Sequence, residues 1–226
     1  MTAPFRIVFA TYDGMTHLDF TGPHMFMSRL PGAEVIVASE HGGTVEATLS
    51  FAGTARLADI DRCDLICVPG GLNATEVSLR DGFIGEIRRL AATARYITSV
   101  CTGSLILGAA GLLKDRRAAC HWAWRNLLGE FGAVPVAERV VRDGNLITGG
   151  GVTAGIDFAL TVIAEIAGPE VAQRIQLGLE YDPQPPFDAG SPETAPAGVL
   201  TDYRAMMAQK AEDRLARVRE AAAKLH

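Results

Sequence analysis

The chain is predicted to be an α/β protein, a mainly parallel sheet sandwiched between helices, and three observations carry that prediction. Short apolar runs rich in β-branched residues recur at residues 5–10, 35–38, 65–68, 96–100 and 146–148. Segments with helical spacing separate most of them, the alternation expected of strands joined by helical crossovers. Glycine turns follow three of the runs, at Pro69-Gly70-Gly71, Cys101-Thr102-Gly103 and Gly149-Gly150-Gly151. Each turn lies at the carboxyl end of a predicted strand, the edge where open α/β sheets place ligands.

The run at 5–10 leads to Leu18-Asp19-Phe20-Thr21-Gly22-Pro23, where the first helix is expected to begin with Pro23 in its first turn. Asp19, between Leu and Phe, reads in two ways. It is a semi-buried carboxylate that needs a partner or a raised pKa, or it is a capping residue. The run at 65–68 ends in the Gly70-Gly71 turn. Neither this turn nor Gly149-Gly150-Gly151 fits G-x-G-x-x-G or the P-loop pattern, so no nucleotide motif is read. Glycine here serves tight turns and close backbone approach, leaving bare amides that can face a substrate. The run at 96–100 passes through Cys101 into the small residues of a helix starting at Gly103, a tight strand-to-helix elbow. Around Asp143-Gly144 two apolar runs, within 139–147, predict a hairpin.

Residues 182–198 carry Pro183, Pro185, Pro186, Pro192 and Pro196 and predict an extended segment wrapping the domain. One amphipathic helix is expected from Thr201 to about residue 225, with Met207, Ala211, Leu215, Val218, Ala222 and Leu225 on one face. It would dock on its own subunit or on a partner. The chain therefore divides into a unit of residues 1–198, including the proline-rich wrap, and an appended helix of residues 199–226.

With 226 residues and 48% hydrophobic content, the chain can bury one substantial core. A net charge of -5 gives no basic footprint for nucleic acid. Neither a run of 18 apolar residues nor a signal-peptide pattern is present, so no membrane association and a cytoplasmic location are expected. Four cysteines without framework spacing agree with a reducing compartment.

Cys101 is the candidate nucleophile. The amides and dipole of the helix that follows it are expected to lower its pKa and raise the thiolate fraction at neutral pH. Cys63, Cys67 and Cys120 read as packed small hydrophobes. His121, beside Trp122, is a candidate pocket residue, although a Cys-His pairing would be an ordinary nucleophile arrangement. His17, His24, His41 and His226 read as surface or loop residues, and no spacing among them suggests a metal site.

Taken together, Leu18-Asp19-Phe20-Thr21-Gly22-Pro23, Val68-Pro69-Gly70-Gly71, Ser99-Val100-Cys101-Thr102-Gly103-Ser104, His121-Trp122 and Thr148-Gly149-Gly150-Gly151-Val152-Thr153-Ala154-Gly155-Ile156-Asp157 resemble the ThiJ/PfpI superfamily. Within it the chain looks most like the isonitrile hydratases. The resemblance runs from about Phe5 into the proline-rich tail, through Leu179-Glu180-Tyr181 and Ala189-Gly190-Ser191-Pro192. It implies a flavodoxin-like fold, a homodimer, and hydration of an isonitrile to an N-substituted formamide without cofactor or metal. Cys101 would attack the isonitrile carbon and Asp19 would move the protons. The amides of Gly71 and Thr102 would donate to the developing oxygen, and the Thr102 hydroxyl would hold Asp19 or the sulfur in register. Gly150 and Val152 would line the pocket. The superfamily's protease branch has histidine directly after the nucleophile; Thr102 stands there in this chain, which speaks against peptidase chemistry. Another cysteine enzyme of the superfamily, glyoxalase-like or amide-cleaving, and a redox or ligand sensor remain open on these residues.

Overall fold

A computed structural model describes residues 3–225. The first half of the chain folds as β1 (Phe5–Thr11), α1 (His17–Met27), β2 (Ala33–Ser39), β3 (Gly43–Val45), β4 (Phe51–Arg56), β5 (Leu65–Val68), α2 (Ala74–Val77), α3 (Asp81–Ala91), β6 (Tyr96–Val100) and α4 (Gly103–Ala109). The second half adds β7 (Arg117–Ala118), a 3-10 segment (Arg125–Phe131), β8 (Val134–Pro135), β9 (Val140–Asp143), β10 (Leu146–Gly149), α5 (Ala154–Ala167), α6 (Pro169–Gly178), α7 (Ala197–Ala208) and α8 (Ala211–Ala223).

Among the described residues, eight strands form one sheet in the order β3-β4-β2-β1-β5-β6-β10-β9. All neighbours are parallel except the two edge pairs, β3 with β4 and β9 with β10. This is the doubly wound sheet that the alternation predicts. Helices α1, α5 and α6 pack on one face, while α2, α3, α4 and α8 cover the other. The central strands are therefore buried on both sides and read as continuous apolar runs: Ile7, Phe9, Leu65 and Ile66 are all sealed. Sequential order reverses at β1, which lies between β2 and β5. The loops leaving β1 and β5 diverge there and open a crevice at their carboxyl ends.

The predicted hairpin is present, with Gly144-Asn145 as its two-residue turn and Gly144 at φ 59°. Four short strands were invisible in the sequence. Along β4 exposed and half-buried positions dominate, and β7 and β8 have two residues each, too few for any period to register. Pro23 is not in the first turn of α1 but at its seventh residue. The backbone bond it cannot make belongs to the Asp19 carbonyl, four residues back. Its ring packs on Gly155 of α5, where a Cβ would lie 3.1 Å from Pro23 Cδ, so the two helices meet over a bare backbone.

The single C-terminal helix expected from 201 is two helices, α7 and α8, broken at Gln209-Lys210. The reason lies in packing. No residue of α7 is buried, whereas α8 buries Val218 and Ala221 on α4 and the 3-10 segment. It is further tied to its own chain by Arg217–Glu76, Arg219–Glu130 and Lys224–Asp81, and Arg214 lies over the Trp124 ring. The wrap before α7 has no helix or strand, as its prolines predict, and Tyr181 anchors its start through Asp157 and the Phe26 ring.

Gly103 and Gly85 make opposite demands on a methyl group, which gives a paired test. A Cβ on Gly103 would lie 2.1 Å from the Val68 carbonyl oxygen, inside van der Waals contact with fixed backbone, whereas one on Gly85, mid-helix and exposed, meets nothing within 4 Å. Gly103→Ala should lower the unfolding free energy by about 1–3 kcal/mol or more. Gly85→Ala should raise it by up to about 1 kcal/mol through helix propensity alone. Urea titration followed by circular dichroism measures both; a stable Gly103→Ala protein would show that the elbow tolerates a wider approach.

Candidate active site

Three loops converge on the crevice beside β1. The loop after β1 carries Tyr12 to Thr16, the loop after β5 carries Pro69-Gly70-Gly71, and the elbow after β6 carries Cys101 and Thr102. Backbone bonds stitch the first two: Thr16 N–H donates to the Gly70 carbonyl at 2.8 Å, and Met15 bridges Gly71. The second and third are joined by the Thr102 hydroxyl, which accepts from Gly71 N–H and donates to the Gly71 carbonyl, each at 2.8 Å.

Cys101 sits at φ 59°, left-handed backbone that costs a non-glycine residue about 1–2 kcal/mol. Its N–H donates to the Gly150 carbonyl at 2.8 Å and the Gly149 carbonyl at 3.1 Å, which pins the elbow to the end of β10. No side chain fits at Gly70, where a Cβ would lie 2.5 Å from Thr102 N and 2.9 Å from Asp19 Oδ2. That bare position lets the glycine turn, the elbow and the carboxylate touch.

Asp19 is fully buried. It does not cap α1, whose N-cap residue is Thr16, and it lies in the first turn with its carboxyl against the Cys101 thiol. Oδ2 accepts from Gly70 N–H at 3.1 Å, while Oδ1 is buried without a hydrogen-bond partner among the described residues. Burial raises the carboxyl pKa from 3.8 to about 7, against the opposing pull of Cys101 and Gly70. It can therefore give or take a proton at neutral pH.

The thiol departs from the expectation of a low pKa. Cys101 is only 4% exposed, and burial, with the Asp19 charge next, pushes its pKa well above the ordinary value. The Thr102 N–H, at the start of α4, pulls the other way and does not overcome desolvation. The resting sulfur is protonated. Its proton has an acceptor beside it in Asp19.

Two roles expected of Gly71 and Thr102 are also corrected. Gly71 N–H is committed to the Thr102 hydroxyl and is not a free donor to substrate. That hydroxyl holds the Gly71 peptide rather than Asp19 or the sulfur. The Thr102 N–H, facing the sulfur, is the backbone donor in place.

Gly150, Val152 and His121 come together as the wall of a cavity of about 350 Å³ next to the elbow. The wrap closes it with Gly190 to Glu193, and Trp122, Arg125 and Arg139 line it too. His121 is half-buried against Gly151, with Nδ1 accepting from Ala123 N–H at 3.3 Å; it makes no hydrogen bond to Cys101. Burial lowers its pKa, so it is neutral at pH 7. His24 is not a loop residue: it lies in α1, its ring 5.1 Å from Phe20 and 5.7 Å from Phe9. His17 starts α1 half-buried with Nδ1 unpartnered, His41 is exposed, and His226 lies outside the described residues.

Two residues gain importance over the sequence reading. Tyr12 is buried, and its hydroxyl donates to the Pro69 carbonyl at 3.1 Å, holding the glycine turn from beneath; burial and then the charge of Asp19 raise its pKa. Its only signal was its place directly after β1. Cys120 is packed, as expected, but it also lines the cavity, and burial pushes its pKa well up, so the thiol is uncharged. Cys63 and Cys67 are buried, with pKa values pushed up by burial to about 11 and about 12, as inert thiols should be. Among the described residues no group of three or more His, Cys, Asp or Glu is placed to hold a metal ion, and no helix is long and apolar enough to cross a membrane.

Comparison with known proteins agrees with this architecture. The chain is similar to the isonitrile hydratase of Pseudomonas putida, 47% identical over 98% of this chain and 98% of that one. Its structure is similar to that of a ThiJ/PfpI family protein from Pseudomonas syringae, with a TM-score of 0.91 and 39% identity, covering 97% of this chain and 90% of that one. The fold is shared with Drosophila melanogaster DJ-1beta, at a TM-score of 0.70 and 23% identity, over 78% of this chain and 98% of that one. The DJ-1/PfpI family model matches residues 5–165, a span that holds Asp19, the glycine turn, the elbow and the Gly150 loop, and the chain belongs to the DJ-1/PfpI family.

Proposed function

We propose that the protein hydrates isonitriles, R–N≡C, to N-substituted formamides through Cys101 and Asp19. The observation that carries this reading is the contact of a buried carboxyl titrating near 7 with the thiol of a cysteine held at the elbow. Full-length similarity to a protein named isonitrile hydratase supports the substrate class. The same reading takes the enzyme as a cofactor-independent, cytoplasmic homodimer whose catalytic unit is residues 1–198, with the C-terminal helical segment as an appendage.

The chemistry follows from the pair. Ionised Asp19 takes the thiol proton and the sulfur becomes the nucleophile. The proton then passes from Asp19 to the terminal isonitrile carbon as the C–S bond forms, giving the thioimidate R–N=CH–S on Cys101. Asp19 next takes a proton from water, whose oxygen adds to that carbon, and passes it to the nitrogen, giving R–NH–CH(OH)–S on Cys101. Collapse of the tetrahedral species forms the C=O bond, breaks the C–S bond and returns a proton to the sulfur. The Thr102 N–H is the donor available to the oxygen as it gains charge. A peroxide sensor needs an accessible, low-pKa thiolate, and the burial of Cys101 disfavours it.

Cys101→Ala should abolish formamide production, losing several orders of magnitude, because a covalent catalyst is removed. Rapid quenching with excess isonitrile should show an intact mass increased by that of the substrate, mapped to the Cys101 peptide. Turnover without any trappable adduct would favour direct attack by water activated at Asp19.

For the wild type, kcat/KM should rise with pH through a limb near 7, because the attacking form needs Asp19 ionised to accept the thiol proton. A flat profile from pH 5 to 9 would remove Asp19 from the proton transfers.

Asp19→Asn should eliminate turnover and stabilise the fold. The carboxyl titrates near 3.8 when unfolded and near 7 when folded, so its ionisation withdraws stability as pH rises between those values. The Asn variant should exceed the wild type by about 2–4 kcal/mol at pH 8, with the difference vanishing towards pH 4, as read from urea midpoints at the two pH values.

A further inference from the structure

Four charged side chains border the cavity beside the elbow: Arg125, Arg139, Glu138 and Glu193. Two are already engaged. Arg139 is paired with Asp157 and also donates to Thr153, and Glu138 is 3.2 Å from Arg117. Arg125 is different, because its half-buried guanidinium makes neither a hydrogen bond nor an ion pair with any described residue. Its charge acts on the Cys120 thiol on one side and on Glu193 of the wrap on the other. The cavity thus holds a guanidinium with no hydrogen-bond or ion-pair partner among the described residues. The neighbouring surface is aromatic: His121 and Trp122 stack at 5.9 Å, and Trp122 lies 5.3 Å from Tyr203 across a second cavity of about 270 Å³ that shares this wall.

We propose that Arg125 binds a carboxylate carried on the R group of the isonitrile, so that the substrates are isocyano carboxylates with an apolar or aromatic side chain. This rests on the hydratase reading of the same site. The isonitrile end lies at Cys101, the body passes Gly150 and Val152, the apolar side chain lies on Trp122, and the carboxylate meets the guanidinium fork. Arginine suits this role because its planar donors match a carboxylate in two parallel bonds. His121, neutral at pH 7, adds no competing charge; Glu138 is paired with Arg117, and Glu193, exposed on the wrap, opposes the incoming anion.

The test compares 2-isocyano-3-phenylpropanoate with its methyl ester, which differ in charge and little in shape. The wild type should show kcat/KM for the acid at least about tenfold above that for the ester, the scale of one charged hydrogen-bonded contact. Arg125→Gln should collapse that ratio towards one, and Arg125→Lys should retain part of it. Glu193→Gln, a change at an exposed position, should raise the ratio. Calorimetry with the formamide products provides a readout independent of turnover: N-formylphenylalanine should bind more tightly than its methyl ester, and Arg125→Gln should lose the difference. An acid-to-ester ratio near or below one in the wild type, or one that neither Arg125→Gln nor Glu193→Gln alters, overturns the proposal. Failure of the wild type to turn over either isonitrile overturns the hydratase reading instead, and calorimetry then decides the anion site by itself: equal binding of acid and ester sinks it.

Discussion

The paired hydrogen bonds between the Thr102 hydroxyl and the Gly71 peptide link the two loops on which the chemistry depends. One hydroxyl donates to the carbonyl and accepts from the N–H of the same residue, leaving that peptide little freedom to rotate. The contact is possible because Gly70 and Gly103 have no side chains where the backbones of β5's loop and the elbow nearly touch. From this clamp the rest follows in order. Gly70 N–H is aimed at Asp19, Asp19 is set against Cys101, and Cys101 is held in left-handed backbone by the carbonyls of Gly149 and Gly150. A buried carboxyl, a thiol and a strained turn are thus fixed by backbone groups from three strand ends, which leaves each side chain few alternative orientations.

Burial governs the electrostatics. A short helix begins two residues after Cys101, yet desolvation and the adjacent carboxyl keep the thiol protonated. The same desolvation lifts Asp19 to about 7. The two effects have one cause: burial keeps the proton on the thiol and brings the titration of the neighbouring carboxyl close to neutrality. Stability is given up to keep the carboxylate dry, the pattern expected where function overrides local optimisation.

Much of this was legible in the sequence, and the failures have physical causes. Apolar, β-branched runs located the five central and near-central strands because β1, β5, β6 and β10 are largely sealed and β2, half-buried, still keeps Val35-Ile36-Val37-Ala38 together. The elbow was legible because a cysteine between a β-branched run and a glycine-led helix leaves few backbone solutions. Asp19 was visible as an acid in apolar company, but its escape from a capping role depends on where α1 starts, and Pro23 was a misleading marker because α5 accommodates it through Gly155. The thiol's pKa was read with the wrong sign: local order shows a nearby helix but not the depth of burial, which is set by residues up to 82 positions away in the chain, Asp19 among them. Hydrogen-bond commitments such as that of Gly71 N–H were equally beyond reach, since they depend on which hydroxyl arrives from another loop. The break between α7 and α8 was hidden because helical periodicity continues through it; only the loss of a packing surface stops the helix.

The proline-rich wrap has a consequence for how the protein can diversify. Its residues Gly190 to Glu193 form part of the cavity wall, yet the segment belongs to no strand or helix and contributes little to the sealed core. Changes there alter what the cavity admits without touching the sheet, the clamp or the proton pathway. Four residues of the wrap can thus reshape and recharge the cavity while the close backbone approaches at Gly70 and Gly103 stay as they are.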